Sequence, residues 1–239
     1  MRVNWSFLKI VFLLGLLVFL FGFASIRNKA RTVTPPNIKF IGENNLFITN
    51  QTVSKLLIQN QHGVKNVLKE TLDLNELERA LNSNPMIKSA EVFVSVNGTL
   101  NADIEQKTPI ARVHTNASYY IDDEGAYMPL SVNYSARVPL ISGYVEKNNL
   151  NNIYKVAKTV HEDDFLKKNV IEIYQNNKKE IFLKLRRCDF VVKLGTIELL
   201  DKKINNLKVF YKKNLKEHTL SSYSVINLQF DNQVVCTKT

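Results

Sequence analysis

Three consecutive acids, Asp122, Asp123 and Glu124, stand directly before Gly125. Crowded carboxylates can hold a cation, but a calcium site needs about six to eight oxygen ligands at defined spacing. A glycine after an Asp-rich triplet instead marks a solvated β-turn. The two cysteines, Cys188 and Cys236, form no C-x-x-C pair and no cluster with His62, His114, His161 or His218. They read as buried thiols or as one disulfide in an oxidising compartment. The chain contains no G-x-S-x-G, H-E-x-x-H, Walker or G-x-G-x-x-G motif. The sequence therefore points to no catalytic residue, no metal site, no cofactor and no small-molecule substrate. The Asn-x-Ser/Thr sequons at Asn50, Asn97, Asn116 and Asn133 matter only in a secreted eukaryotic protein.

The charge carries the next question. Between Phe165 and Lys216 fourteen Lys/Arg residues stand against five Asp/Glu, an excess of nine within a net charge of +10. Basic stretches suggest nucleic acid or an anionic surface. Here the cations alternate with apolar residues, as in Ile181 to Arg186, or share a helical face, as do Lys202, Lys203, Lys208 and Lys212. Those are solvated faces of strands and helices, and no groove-reading motif accompanies them, so a nucleic-acid partner is not expected.

The elements that position these residues begin with an anchor. From Phe7 to Ile26 the chain is apolar or glycine except for Lys9 and Ser25. Phe7, Ile10, Leu14, Leu17, Phe21 and Ala24 mark its length. Twenty residues of helix span about 30 Å, enough to cross a bilayer, with Lys9 able to snorkel and Trp5 placed as an interfacial anchor. The competing reading is a cleavable signal peptide ending near Gly22-Phe23-Ala24; the length of the apolar run favours the uncleaved span. Arg27, Lys29 and Arg31 follow the span while Arg2 precedes it, so the positive-inside rule leaves the orientation open.

A polar linker, 27–36, leads to a short strand, Asn37 to Gly42. Thr49 or Asn50 caps a helix reaching Gln61 that buries Val53, Leu56 and Leu57. Asp73-Leu74-Asn75-Glu76 has capping-box spacing and opens a helix with Leu74, Leu77 and Leu81 on one face, stopped at Asn84-Pro85. The stretch from Ser89 to Val113 then reads as a hairpin. Ala90, Val92 and Val94 share a face, and Leu100, Ala102 and Ile104 must join them there. A two-residue loop mixes the faces. A three-residue loop of Val96, Asn97 and a left-handed Gly98 pairs Val94 with Leu100 and Val92 with Ala102. After Pro109 come short strands around the Asp122–Gly125 turn, a strand at "VPLISGYV" and a helical stretch from Asn148 to Lys168. Three strands, "VIEIYQ", "EIFLKL" and "FVVKLG", precede a helix from Glu198 to Lys213. The strands "SYSVINLQF" and "NQVVC" close the chain around a turn at Asp231-Asn232.

These pieces, in order, resemble the FtsQ/DivIB family of bacterial cell-division proteins. "IKFIGENNLFIT" resembles the first strand of the family's POTRA domain and the loop into its helix. "LNELERALNSNPMIKSAEVFV" resembles the second helix and next strand, and "QKTPIARV" the exit. "YYIDDEGAYMPLS" and "VPLISG" resemble the start of the family's β domain. "VVKLG", the basic helix and "INLQFDNQVV" resemble its end. The "DDEGAYMPLS" and "NLQFDNQVVC" segments look most like Bacteroidetes members. The resemblance implies an α+β protein: a cytoplasmic head, 1–6; a transmembrane helix, 7–26; a linker, 27–36; a β-α-α-β-β POTRA domain, 37–113; and an antiparallel β-rich domain with helices, 114–239. It further implies a non-enzymatic inner-membrane scaffold at the division septum, with both domains in the periplasm and FtsB-like and FtsL-like partners. In the family a C-terminal strand accepts a strand from the FtsB-like protein. By motif match that edge falls on Ser224, Val225, Ile226, Asn227, Leu228, Gln229 and Phe230 and the turn beyond them. Phe230 stands where the family commonly has a tyrosine, and Gln229 where many members carry an arginine that pairs with an acidic partner residue. The alternative of the same fold is a POTRA protein of envelope assembly, which calls for tandem repeats or a following barrel.

Overall fold

The computed structural model describes residues 5–29, 34–42, 45–59, 73–115, 117–146, 149–231 and 233–239. The start of the expected head, the linker residues 30–33, the end of the first expected helix beyond Gln59, the sequon at Asn116, and Asn148 and Asn232 lie outside them. Helix α1 (Trp5–Lys29) contains a window, Lys9–Ile26, of mean hydropathy 2.4 that is long and apolar enough to cross a membrane, and none of that window is buried. The helix runs into the stretch expected as linker.

The rest of the chain divides into two units at 106/107. In the first, β1 (Thr34–Ile41) is followed by α2 (Asn50–Gln59), α3 (Leu74–Asn82), β2 (Ile87–Val94) and β3 (Thr99–Gln106). The sheet order is β1-β3-β2, with β1 parallel and β2 antiparallel to the central β3. β1 takes in Thr34, Pro35 and Pro36, expected as linker, through a register irregularity before Asn37. Asp73 caps α3 by accepting the Glu76 amide at 3.1 Å, and Thr49 Oγ1 accepts the Thr52 amide at 3.2 Å at the start of α2. The hairpin has the register that its faces require: Val92 opposite Ala102 and Val94 opposite Leu100, with Gly98 at φ 91°. Val53, Leu57, Leu77 and Leu81 from the helices pack on Leu100, Ala102 and Ile104. Each fully buried aliphatic side chain stabilises the unit by about 1.5–3 kcal/mol. Buried Gln106 closes the unit. Its side chain accepts the amides of Phe47 and Ile48 at 2.9 and 3.2 Å and donates to the Ile48 carbonyl at 3.0 Å.

The second unit is built on one sheet of nine strands, ordered β12-β11-β10-β9-β8-β7-β4-β5-β6. In chain order these are β4 (Pro109–His114), β5 (Ser118–Asp122), β6 (Tyr127–Met128), β7 (Leu140–Gly143), then helices α4 (Asn151–Glu162) and α5 (Asp164–Asn169). Next come β8 (Val170–Gln175), β9 (Ile181–Leu185), β10 (Val191–Gly195), α6 (Leu200–Lys216), β11 (Tyr223–Asn227) and β12 (Val235–Lys238). β4 had been expected to close the first domain at Val113. It pairs instead with β5 and β7, which moves the boundary back to Gln106. The sheet is mixed rather than antiparallel throughout: β4–β7, β7–β8 and β10–β11 are parallel. Helices α4 and α5 lie between β7 and β8 in the chain, and α6 between β10 and β11, and such crossovers return a chain to the same end of a sheet. One buried row runs across the strands through Ile141, Ile173, Leu183, Val192 and Ile226 to Cys236. Ile153, Val156 and Val160 of α4, Leu166 of α5, and Ile204 and Leu207 of α6 belong to the same core.

Candidate docking edge

The sequence from Ser224 to Phe230 was expected to be the open edge of this sheet, and the structure corrects that. Val225, Ile226 and Asn227 pair with Val191, Val192 and Lys193 of β10 on one side, and with Thr237, Cys236 and Val235 of β12 on the other. β11 is interior, with both ladders filled. Ser224 donates to the carbonyls of Thr237 and Lys238 at 3.3 and 3.4 Å, which ties it to β12 as well. The strand ends at Asn227. Leu228, beyond it, is 1% exposed and part of the core, its amide donating to the Lys193 carbonyl at 2.9 Å.

Gln229 is also engaged within the unit. Its amide donates to Asn227 Oδ1 at 3.0 Å and its side chain to Glu180 Oε1 at 3.3 Å. The side chain lies over Gly195 (φ 69°), where a Cβ would come within 2.4 Å of Gln229 Nε2. Glu180 also meets Asn176 at 2.8 Å and Lys193 at 3.2 Å, and these bonds, Asn176 first, hold its carboxyl below the usual carboxylate range. Phe230 is 47% exposed at the rim of a cavity of about 290 Å³ lined by Leu199, Lys202, Lys203, Leu228 and Asp231. Of the seven expected residues, Phe230 alone presents a large apolar side chain to solvent.

The edge itself is β12. Only β11 pairs with it, and among the described residues no hydrogen bond joins its other side to another element. Val235 is 40% exposed and Thr237 and Lys238 are exposed, whereas Cys236 turns toward the core row. Burial pushes the Cys236 thiol up, and burial and then Asp189 do the same for Cys188. Both cysteines are free thiols. A groove of about 350 Å³ accompanies this edge, lined by Val209, Phe210, Lys213 and Glu217 around α6 and by Tyr223 and Val234. Phe210 in its lining stands edge-on to Phe190 at 6.2 Å and to Tyr223 at 5.4 Å. Val209 is 69% exposed on the same helix. A bare strand edge beside a groove of mixed polar and apolar lining can accept an extended segment of another chain.

The other residues singled out by type have structural places. Asp122 is 1% exposed; it accepts Lys107 Nζ at 2.7 Å and the amides of Glu124 and Ala126 at 3.1 and 2.6 Å, which builds the turn. Asn97 accepts the Thr99 amide at 3.2 Å inside the hairpin loop. Part of the basic stretch is paired: Lys193 with Glu180, Lys202 with Asp231 and Lys208 with Asp163. β12 was legible as a strand but not as the edge. The signal was its place after β11, because a strand laid against β10 through a helical crossover leaves one side open for the next strand of the hairpin.

The described residues form an apolar helix long enough to span a bilayer, a β-α-α-β-β module and a mixed-sheet domain with a bare terminal edge. Residues 108–237 match the family described as FtsQ/DivIB, C-terminal related, and residues 41–105 match a POTRA-like domain. The first match covers more than half of the chain, which therefore belongs to the FtsQ/DivIB family, whose members are non-catalytic scaffolds of bacterial cell division. The two matches meet where the structure divides. A comparison with curated proteins returns no match.

Proposed function

We propose that this chain is a single-pass inner-membrane scaffold whose two periplasmic units hold FtsB-like and FtsL-like division proteins, with β12 as the strand that accepts the FtsB-like segment. The observation that carries the reading is the uncovered edge of β12 beside the groove at Val209, Phe210 and Val234. It replaces Ser224–Asn227 as the pairing surface and keeps Phe230 as a flanking aromatic. Gln229 takes no part in an ion pair with the partner, being neutral and bonded to Glu180. The N-terminus is cytoplasmic in this reading, which follows from the family resemblance and not from flanking charge.

The test is co-purification of the full chain, and of a chain ending at Val234, with the FtsB/FtsL-like pair from the same organism. Removing β12 should weaken binding at least about 100-fold, the cost of losing strand pairing together with its flanking contacts, while circular dichroism shows the second unit still folded. Equal binding by both chains would place docking elsewhere. No binding by either would remove the assigned partners.

A further inference from the structure

The first unit also has a strand edge, and its own helix occupies it. Alternate residues of β2 turn their backbone groups away from β3, and at Ala90 and Val92 those groups meet side chains of α3. Asn82 Oδ1 accepts the Ala90 amide at 2.8 Å while Asn82 Nδ2 donates to the Ala90 carbonyl at 3.3 Å. One side chain thus supplies both the acceptor and the donor that a neighbouring strand would supply. Glu78 Oε2 accepts the Val92 amide at 3.3 Å.

The spacing explains why two side chains suffice. Glu78 and Asn82 are four residues apart on a helix, about 6 Å along its axis. Ala90 and Val92 are two residues apart on a strand, about 6.8 Å. The two repeats nearly coincide, and α3 runs opposite to β2, so the later helical residue meets the earlier strand residue. The short turn at Ser83–Met86 fixes this alignment, with the Ile87 amide donating to the Asn84 carbonyl at 2.9 Å.

We infer that Glu78 and Asn82 form a side-chain seal that keeps β2 from accepting a strand, including β2 of a second copy. The seal restricts strand addition on this unit by occupying the positions an incoming backbone needs. The edge of β2 is thus closed by two side chains of α3.

The test uses the full chain in detergent micelles, comparing the parent with Glu78→Ala/Asn82→Ala. Amide exchange is read at single residues and self-association by sedimentation. In the double variant the Ala90 and Val92 amides should exchange at least about tenfold faster, the loss of one hydrogen bond each. Glu91 and Phe93, facing β3, should stay protected, and the variant should self-associate where the parent does not. Glu78→Gln, with Asn82 kept, retains the acceptor for the Val92 amide and both partners of Ala90, and should behave as the parent. Where the double alanine also frees Glu91 and Phe93, the single Glu78→Ala variant decides at the Val92 amide. Unchanged exchange at Ala90 and Val92 overturns the seal. Faster exchange with a protein that stays monomeric overturns its purpose.

Discussion

The two sheets meet one liability, an unpaired strand edge, in opposite ways. In the first unit β2 is closed by Asn82 and Glu78, and β1 opens with Pro35 and Pro36, which offer no N–H to a neighbour. In the second, one edge is the two-residue β6 and the other, β12, keeps four residues uncovered beside a groove of mixed polar and apolar lining. The difference teaches where to look for an interface. An edge closed by the chain's own side chains, as at β2, is a protected surface, whereas an edge left open, as at β12, is one that an added strand can use.

The largest expected effect separates interior from edge. Ile226→Ala in β11 removes a side chain that is 0% exposed and should cost about 2–5 kcal/mol. Val235→Ala on β12 should cost no more than about 0.5 kcal/mol. Denaturant melts of the second unit check both, and similar losses at the two positions would mean that β12 is no edge.

A smaller effect sharpens the contrast between a carboxylate that closes an edge and one that caps a helix. Asp163 accepts the Phe165 and Leu166 amides at 3.0 Å each and is bonded to Lys208. Burial by itself would raise its pKa, but the Lys208 bond and the two amides outweigh it and hold the carboxyl below its usual value. Its contribution is therefore full above the ordinary carboxylate range and lost as pH falls through the lowered folded value. Asp163→Ala should cost about 1–2 kcal/mol near pH 7. The gap to the parent should narrow on titration toward pH 3 in thermal melts; a gap that does not change with pH would deny the ionised carboxylate its role.

The smallest effect reads the open edge directly. Cys236 should alkylate slowly at neutral pH and up to about tenfold more slowly once a strand covers β12, while Cys188 is unaffected. Equal slowing of both thiols would point to a general change rather than to edge pairing.

Much of this architecture was legible from residue order. The hairpin register followed from the requirement that Ala90, Val92, Leu100 and Ala102 share a face, and the Asp73 cap from its spacing to Glu76. Strand order was less legible, because alternation says which side chains are buried and nothing about which strand lies alongside. "SVINLQF" has the same pattern whether one ladder is filled or two. "PIARV" resembled an exit strand because its apolar residues suit either unit; only its pairing with β5 and β7 assigns it. The seal at Asn82 and Glu78 was invisible for a related reason. Both residues look like the solvated face of α3 until the strand repeat is laid against the helical one.

The shortness of β12 has a consequence for how tightly it can hold anything. Four residues offer two to four backbone hydrogen bonds, each worth about 0.5–1.5 kcal/mol net, so pairing alone binds no tighter than about tens of micromolar. A contact that weak forms poorly between freely diffusing molecules. It forms readily when both chains are confined to one membrane, where tethering supplies local concentrations on the order of millimolar. If β12 is the docking strand proposed above, it acts as a proximity gauge, engaged where partners are crowded together and released where they are dilute.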